Sequence, residues 1–258
     1  MLLPLPFALL ALAIAATWCP ALSVGRLRIA PWTLLFGAAV AAGIAQGVLA
    51  ALVALALSLH LTRGFDNPTA FSDLRLTPDA IAFTQYLSFD KGAAGLVLLA
   101  AFGARSTSPR RFAGQLATIV VAALATAALA IGIALAAGYV RFEPKLPAAT
   151  LAFLLPNLFF TCVAEEAFFR GLIQERLMRR SGAAGGLVRT GLAVAVSTLL
   201  FGLAHAGGGT TWMLVATVAG LGYALTYAKT RTMEGPILVH FAVNAAHFLL
   251  FTYPTLAR

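Results

Sequence analysis

Charge is what this sequence has least of. Of its 258 residues only 10% are Asp, Glu, Lys or Arg, whereas 60% are hydrophobic. Soluble domains carry roughly 25% charged residues, and a mean hydropathy of +0.90 excludes one here. Acidic residues are the scarcer sign: nine (Asp66, Asp73, Asp79, Asp90, Glu143, Glu165, Glu166, Glu175 and Glu234) against eighteen Lys and Arg. The resulting excess of +9 is dispersed between apolar runs, not gathered into a patch, so no nucleic-acid partner is expected. Only Cys19 and Cys162 occur, each within an apolar run, which argues against a disulfide scaffold; no CxxC pair is present. There is no His-Glu-x-x-His segment, no long Pro- or Ser-rich linker and no tandem repeat. Nothing basic precedes the apolar residues 2–24, and Ala-Thr-Trp-Cys19 is a poor lipoprotein cleavage box, so a retained segment is expected over a cleaved signal peptide.

What the chain has instead is apolar runs of bilayer length. A helix crosses a membrane in about 20 residues. Eight candidates lie near 2–24, 33–60, 80–104, 112–139, 148–172, 187–206, 211–228 and 236–255. The expected fold is all-α: a polytopic membrane protein of about eight transmembrane helices enclosing a polar intramembrane cavity, forming a single domain over 1–258. The second run is long enough to tilt, and Asp90 and Lys91 divide the third into an amphipathic first half and a short apolar second half. Arg26 and Arg28, then Arg105, Arg110 and Arg111, then Arg176, Arg179, Arg180 and Arg189, then Lys229 and Arg231 follow the odd-numbered runs. The alternate loops hold Arg63, Arg75, Arg141 and Lys145, mixed with Asp66, Asp73, Asp79 and Glu143. This alternation puts both termini outside the cytoplasm. The longest external connection is 62–78, with Gly64, Asp66, Asn67, Pro68 and Pro78.

Residues 1–145 carry no motif; the segments that read as motifs all fall in 146–258. The densest is Thr161-Cys-Val-Ala-Glu165-Glu166-Ala-Phe-Phe-Arg170-Gly-Leu-Ile-Gln-Glu175-Arg176. An unpaired charge at a bilayer centre costs roughly 2.5–3.5 kcal/mol or more, so charges kept here have a purpose. Glu166 and Arg170, four apart in the acid-before-base order, share a helix face and read as a buried strut. Glu165 points about 100° away and is left as the reactive carboxylate. Phe201-Gly-Leu-Ala-His205 ends the sixth run before Gly207-Gly-Gly209. His240-Phe-Ala-Val-Asn244 opens the eighth, with His240 and Asn244 on one face and His247 on nearly the same stripe.

Each of these has an ordinary structural reading: interhelical hydrogen bonding for a lone histidine, and helix glue for Asn244. Together they supply a base, two imidazoles and an amide. A carboxylate and an imidazole can activate one water, while a second imidazole and an amide donate to a developing oxyanion. The same ligand types could instead hold Zn²⁺.

In order, these segments read EExxxR, FxxxH and HxxxN, and over about 148–250 the chain resembles the CPBP family of CAAX-prenyl endopeptidases and bacteriocin-processing proteins. The resemblance implies an eight-helix intramembrane endopeptidase of the glutamic type. Glu165 would activate water with His205, His240 and Asn244 would form the oxyanion site, and Glu166 and Arg170 would shape it. It also implies no metal or other cofactor, with zinc as the alternative. Members trim prenylated tails, process peptides or signals, act in bacteriocin self-immunity, cleave sorting tails or serve as membrane scaffolds. The Ala-rich, Arg-preferring composition looks bacterial, which points to the inner membrane and to a membrane-anchored protein or peptide substrate without a prenyl group. A non-enzymatic scaffold or immunity-type protein is the alternative. A small transporter is the third reading, without the internal repeat transporters often show.

Span counting conflicts with a shared site. His205 falls about 24 Å beyond Arg189 along its helix, whereas His240 lies near the start of a span running the same way. A common site requires short, shifted or broken helices, with breaks expected at Pro156, Gly207–Gly209 and Gly235-Pro236, and with 206–211 dipping into a water-filled cavity.

Overall fold

In lipid every backbone N–H and C=O must bond internally, so apolar runs become helices. The computed structural model describes residues 5–16, 23–24, 27–28, 52, 56–57, 67–106, 108–179 and 186–257. The helices are α1 (Leu5–Ala16), α2 (Phe89–Phe102), α3 (Pro109–Ala136), α4 (Thr150–Arg179), α5 (Gly186–Ala204), α6 (Thr210–Thr230) and α7 (Glu234–Leu250). Of these α3, α4, α5 and α6 are long and apolar enough to cross a bilayer. The chain is thus a predominantly helical polytopic membrane protein.

The count of about eight spans is corrected to four among the described residues. The run at 33–60 lies outside the described residues apart from 52 and 56–57, as does much of 2–24, of which α1 accounts for 12 residues. The run at 80–104 shortens to the 14 residues of α2, because the chain before it is extended. An antiparallel hairpin pairs Thr69–Leu74 with Phe83–Tyr86, taking up much of the expected loop 62–78 as well. Aromatic and β-branched residues at Thr69, Phe71, Phe83, Thr84 and Tyr86 suit strands. The last run shortens to the 17 residues of α7, ending where Phe251 turns extended and bridges Phe142. Ser23–Val24 and Leu27–Arg28 form a second, minimal antiparallel pair, so the fold is not purely α.

Helix α4 is the axis. Its flanks meet α2, α5 and α7, while α3 packs on α6 and α7 and α1 packs on α2. One end of the bundle gathers the hairpin, the 137–149 connection and the tail 250–257. There Leu256 N–H donates to Tyr139 O, Ala257 N–H to Asp79 O and Thr252 N–H to Arg141 O, and Arg141 pairs with Asp79. The other end gathers basic connections: Arg179 and Arg231 both pair with Glu175, and Ser106 N–H donates to Glu234. The loops expected on opposite sides by charge are therefore at opposite ends.

Pro156 does not break α4. Having no N–H to give, it is followed by a π-helical turn over Asn157–Cys162. A second π segment covers Ala167–Gln174, so the two acidic residues sit in a short α stretch between wide turns. Such turns occur most often at functional sites. Gly207–Gly209 does end a helix: Ala206–Gly208 is a 3₁₀ turn, and Gly209 takes φ +89°, a conformation L side chains avoid. Gly235 and Pro236 fall in the first turn of α7 and break nothing.

Where α2 crosses α4 the backbones nearly touch: a Cβ on Gly95 would stand 2.9 Å from Ala164 Cα. Close approach through small residues is how helices associate where lipid removes the hydrophobic driving force. Gly95→Ala is expected to destabilise the protein by about 1–3 kcal/mol through overpacking. Gly132→Ala, whose Cβ meets nothing within 4 Å, should be neutral or stabilising by about 0.5–1 kcal/mol. Thermal unfolding in detergent of both variants checks the contrast.

Candidate active site

Two carboxylates on α4, two cations and one imidazole interlock at the centre of the bundle. Arg170 Nη1 donates to Glu166 Oε1 at 3.2 Å, both side chains being fully buried, as the i,i+4 spacing predicts. Arg170 Nη2 also donates to Gly220 O at 2.7 Å, and its guanidinium lies 4.7 Å from the Phe201 ring centre. Such a cation–π contact gains strength when desolvated. His240 Nδ1 stands 2.8 Å from the same Glu166 Oε1. A carboxylate only accepts, so a proton on Nδ1 makes this bond, and Nε2 is the nitrogen turned toward Glu165, 4.0 Å from its Oε2. Tyr223 stacks on the imidazole at 4.5 Å and 14°, and Phe201 meets it edge-on at 5.7 Å. Glu166 is thus more than a strut for Arg170: it also orients His240.

Glu165 is not left alone as the sequence suggested. Its Oε1 accepts from Lys91 Nζ at 2.7 Å, while its buried Oε2 has no hydrogen-bond partner. Lys91 comes from the first turn of α2, about 3 Å along that helix, whereas Glu165 is midway along α4. Shortening α2 is what puts the two at one depth.

His205 and Asn244 approach from the other side. His205 Nδ1 lies 2.7 Å from Phe201 O. A carbonyl cannot donate, so Nδ1 carries the proton and Nε2 of a neutral ring is an acceptor. Asn244 Nδ2 donates to Asn157 Oδ1 at 3.2 Å, and Cys162 Sγ lies 3.3 Å from that same oxygen. The Asn244 amide also donates to Cys162 Sγ, 3.8 Å from Nδ2, a weak acceptor that a stronger one can displace. His205, His240 and Asn244 line one cavity of about 60 Å³, with Trp212, Tyr139 and small apolar residues of α3 and α6 completing the wall. Glu165 is not in that wall; it meets the group through His240. The turn 206–208 is exposed and outside that lining, so the expected dip of 206–211 into the cavity is not seen; Tyr139 O–H donates to Gly208 O. His247 also lines the cavity, and its Nε2 is 3.2 Å from Thr252 O, at the hairpin end of the bundle.

Sequence reasoning missed Lys91, Asn157 and Tyr223 as neighbours of these groups. Lys91 carried a signal, an ion in an apolar run, but its partner lies 74 residues away. Asn157 was a buried amide one residue after Pro156, and Tyr223 had no visible distinction from other aromatic residues in its run. Among the described residues no three His, Cys, Asp or Glu groups form a metal-holding set. The carboxylates are turned instead toward Lys91, Arg170 and His240.

Removing one partner of a buried pair leaves an uncompensated ion. Arg170→Met is accordingly expected to lower stability by about 3–5 kcal/mol, and adding Glu166→Gln should recover part of that loss. A double-variant cycle of unfolding midpoints measures the coupling.

No curated protein and no solved structure matches the chain. A family model does: the one described as Rce1-like, "Type II CAAX prenyl endopeptidase Rce1-like", matches residues 147–246. That interval runs from just before α4 to within α7 and contains Glu165, Glu166, Arg170, His205, His240 and Asn244. Residues 147–246 are therefore a domain of the Rce1-like CAAX-endopeptidase family.

Proposed function

We propose that this protein is an intramembrane endopeptidase that hydrolyses a peptide bond of a membrane-associated protein or peptide, using water activated by Glu165 and His205. The observation that carries the reading is the position of His240. Its Nδ1 meets Glu166 and its Nε2 is turned toward Glu165, while the residue lines the cavity it shares with His205 and Asn244. His205, His240 and Asn244 thereby line one cavity, with Glu165 reached through His240, in a domain matching an endopeptidase family.

The chemistry follows from which atoms are uncommitted. Glu165 Oε2 has no hydrogen-bond partner, and His205 Nε2 is an acceptor in the neutral ring. A water held between them loses a proton to Glu165 as its oxygen bonds to the carbonyl carbon. The carbonyl electron pair moves onto oxygen, which accepts from the Asn244 N–H drawn off Cys162 Sγ and from His240 Nε2 when that nitrogen carries a proton. Collapse breaks the C–N bond, and the proton held by Glu165 leaves with the amine. No covalent enzyme intermediate is required. Glu166 and Arg170 act by fixing the His240 ring. The substrate is read as a membrane-anchored peptide of a bacterial inner membrane, since the cavity lies within the bundle and its apolar wall favours apolar side chains.

Terminal proteomics of membranes containing the wild type, Glu165→Gln or His205→Ala tests this without a known substrate. Peptides newly terminated by the wild type should fall by about 10²–10⁴-fold in either variant. His240→Ala and Asn244→Ala should each cost about 10²–10³-fold. Identical termini in wild type and Glu165→Gln would refute the assignment.

A further inference from the structure

We infer that Lys91 is a positioning residue for the site: its ammonium keeps the Glu165 carboxylate ionised inside the bundle and turns Oε2 toward His240. For catalysis this rests on the endopeptidase reading; as a statement about the Glu165–Lys91 pair it stands apart from it.

Lys91 comes from outside the 147–246 domain, yet it makes the one salt-bridge contact below 4 Å that Glu165 has among the described residues, 2.7 Å from Oε1. Arg170 is committed to Glu166 and the Gly220 carbonyl. Asp90, the other ion in this turn of α2, accepts from Asn67 Nδ2 and from Lys91 N–H, and Asn67 Oδ1 accepts from Phe89 N–H. The hairpin thus delivers the first turn of α2 at the depth of Glu165. Contact of Gly95 with Ala164, one turn further along, fixes the separation of the two helices there.

The physical need is plain. A carboxylate in an apolar bundle without a counter-ion takes up a proton instead of bearing the desolvation cost. Protonated, it could not accept one from water. Glu165 is 14% exposed and has Glu166 as its neighbour in sequence, a like charge that adds to the same difficulty. An ammonium on Oε1 offsets both effects and leaves Oε2 unpartnered. Lysine suits the position: its stem lies along apolar surface while the charged end reaches the carboxylate, with the side chain 26% exposed.

The test compares infrared spectra at neutral pH of purified wild type, Lys91→Met, Lys91→Arg and Lys91→Met/Glu165→Gln. Lys91→Met should show a protonated-carboxyl C=O stretch that is absent from the wild type, from Lys91→Arg and from the double variant. Lys91→Gln, a donor without charge, replaces Lys91→Met if that variant does not fold. A folded Lys91→Met or Lys91→Gln protein lacking the band overturns the inference. In the membrane-proteomics assay, Lys91→Met should lose about 10²-fold of product formation, with Lys91→Arg recovering most of it. Wild-type turnover by Lys91→Met also overturns the inference. If the wild type itself yields no product, the endopeptidase reading fails, while the infrared comparison still decides the role of Lys91.

Discussion

Two ion pairs side by side hold the centre of this protein: Glu165 with Lys91, partly exposed, and Glu166 with Arg170, fully buried. Neither pair is optional once the carboxylates are inside the bundle, since an unmatched charge there is far more costly than a matched one. The pairs also tie the bundle together. Lys91 brings in α2, Arg170 reaches α6 through Gly220, and His240 brings in α7 through Glu166. Three helices are thereby referenced to one turn of α4.

Compensation of this kind differs between the two adjacent acids. Glu166 has both of its interacting partners, Arg170 and His240, on the same oxygen and lies fully buried, so its work is to orient. Each acid keeps one unpartnered oxygen, but Glu165 alone has a small exposure, which is why the proposed reaction is given to it. The wide π turns on either side of the pair change the angular spacing of α4 where the two side chains must point to different partners.

The depth problem posed by simple span counting is met by unequal helices. Helix α2 covers 14 residues and α7 covers 17, and an extended hairpin and tail fill the remaining height at one end. His205, at the end of α5, is brought back by its bond to Phe201 O and by the Phe201 ring, 4.6 Å from its own, which also meets His240. One aromatic side chain thus spaces the two histidines at the shared cavity.

Membrane character, the Glu166–Arg170 pair and the opposite placement of basic and mixed loops were legible in the sequence. Each follows from composition or from the 3.6-residue period, which are local properties. The eight-span count was not, because hydropathy registers an apolar segment equally whether it becomes a helix or a strand such as Phe83–Tyr86. Lys91 against Glu165, His240 against Glu166 and Asn244 against Asn157 join residues 74 to 87 positions apart. Such pairings depend on where α2 begins and how α7 packs on α4, and no local pattern encodes that. The sequence by itself determined which charges and imidazoles enter the membrane; tertiary structure decided which of them neutralise one another, because matching buried charges requires helices to be set at a common depth.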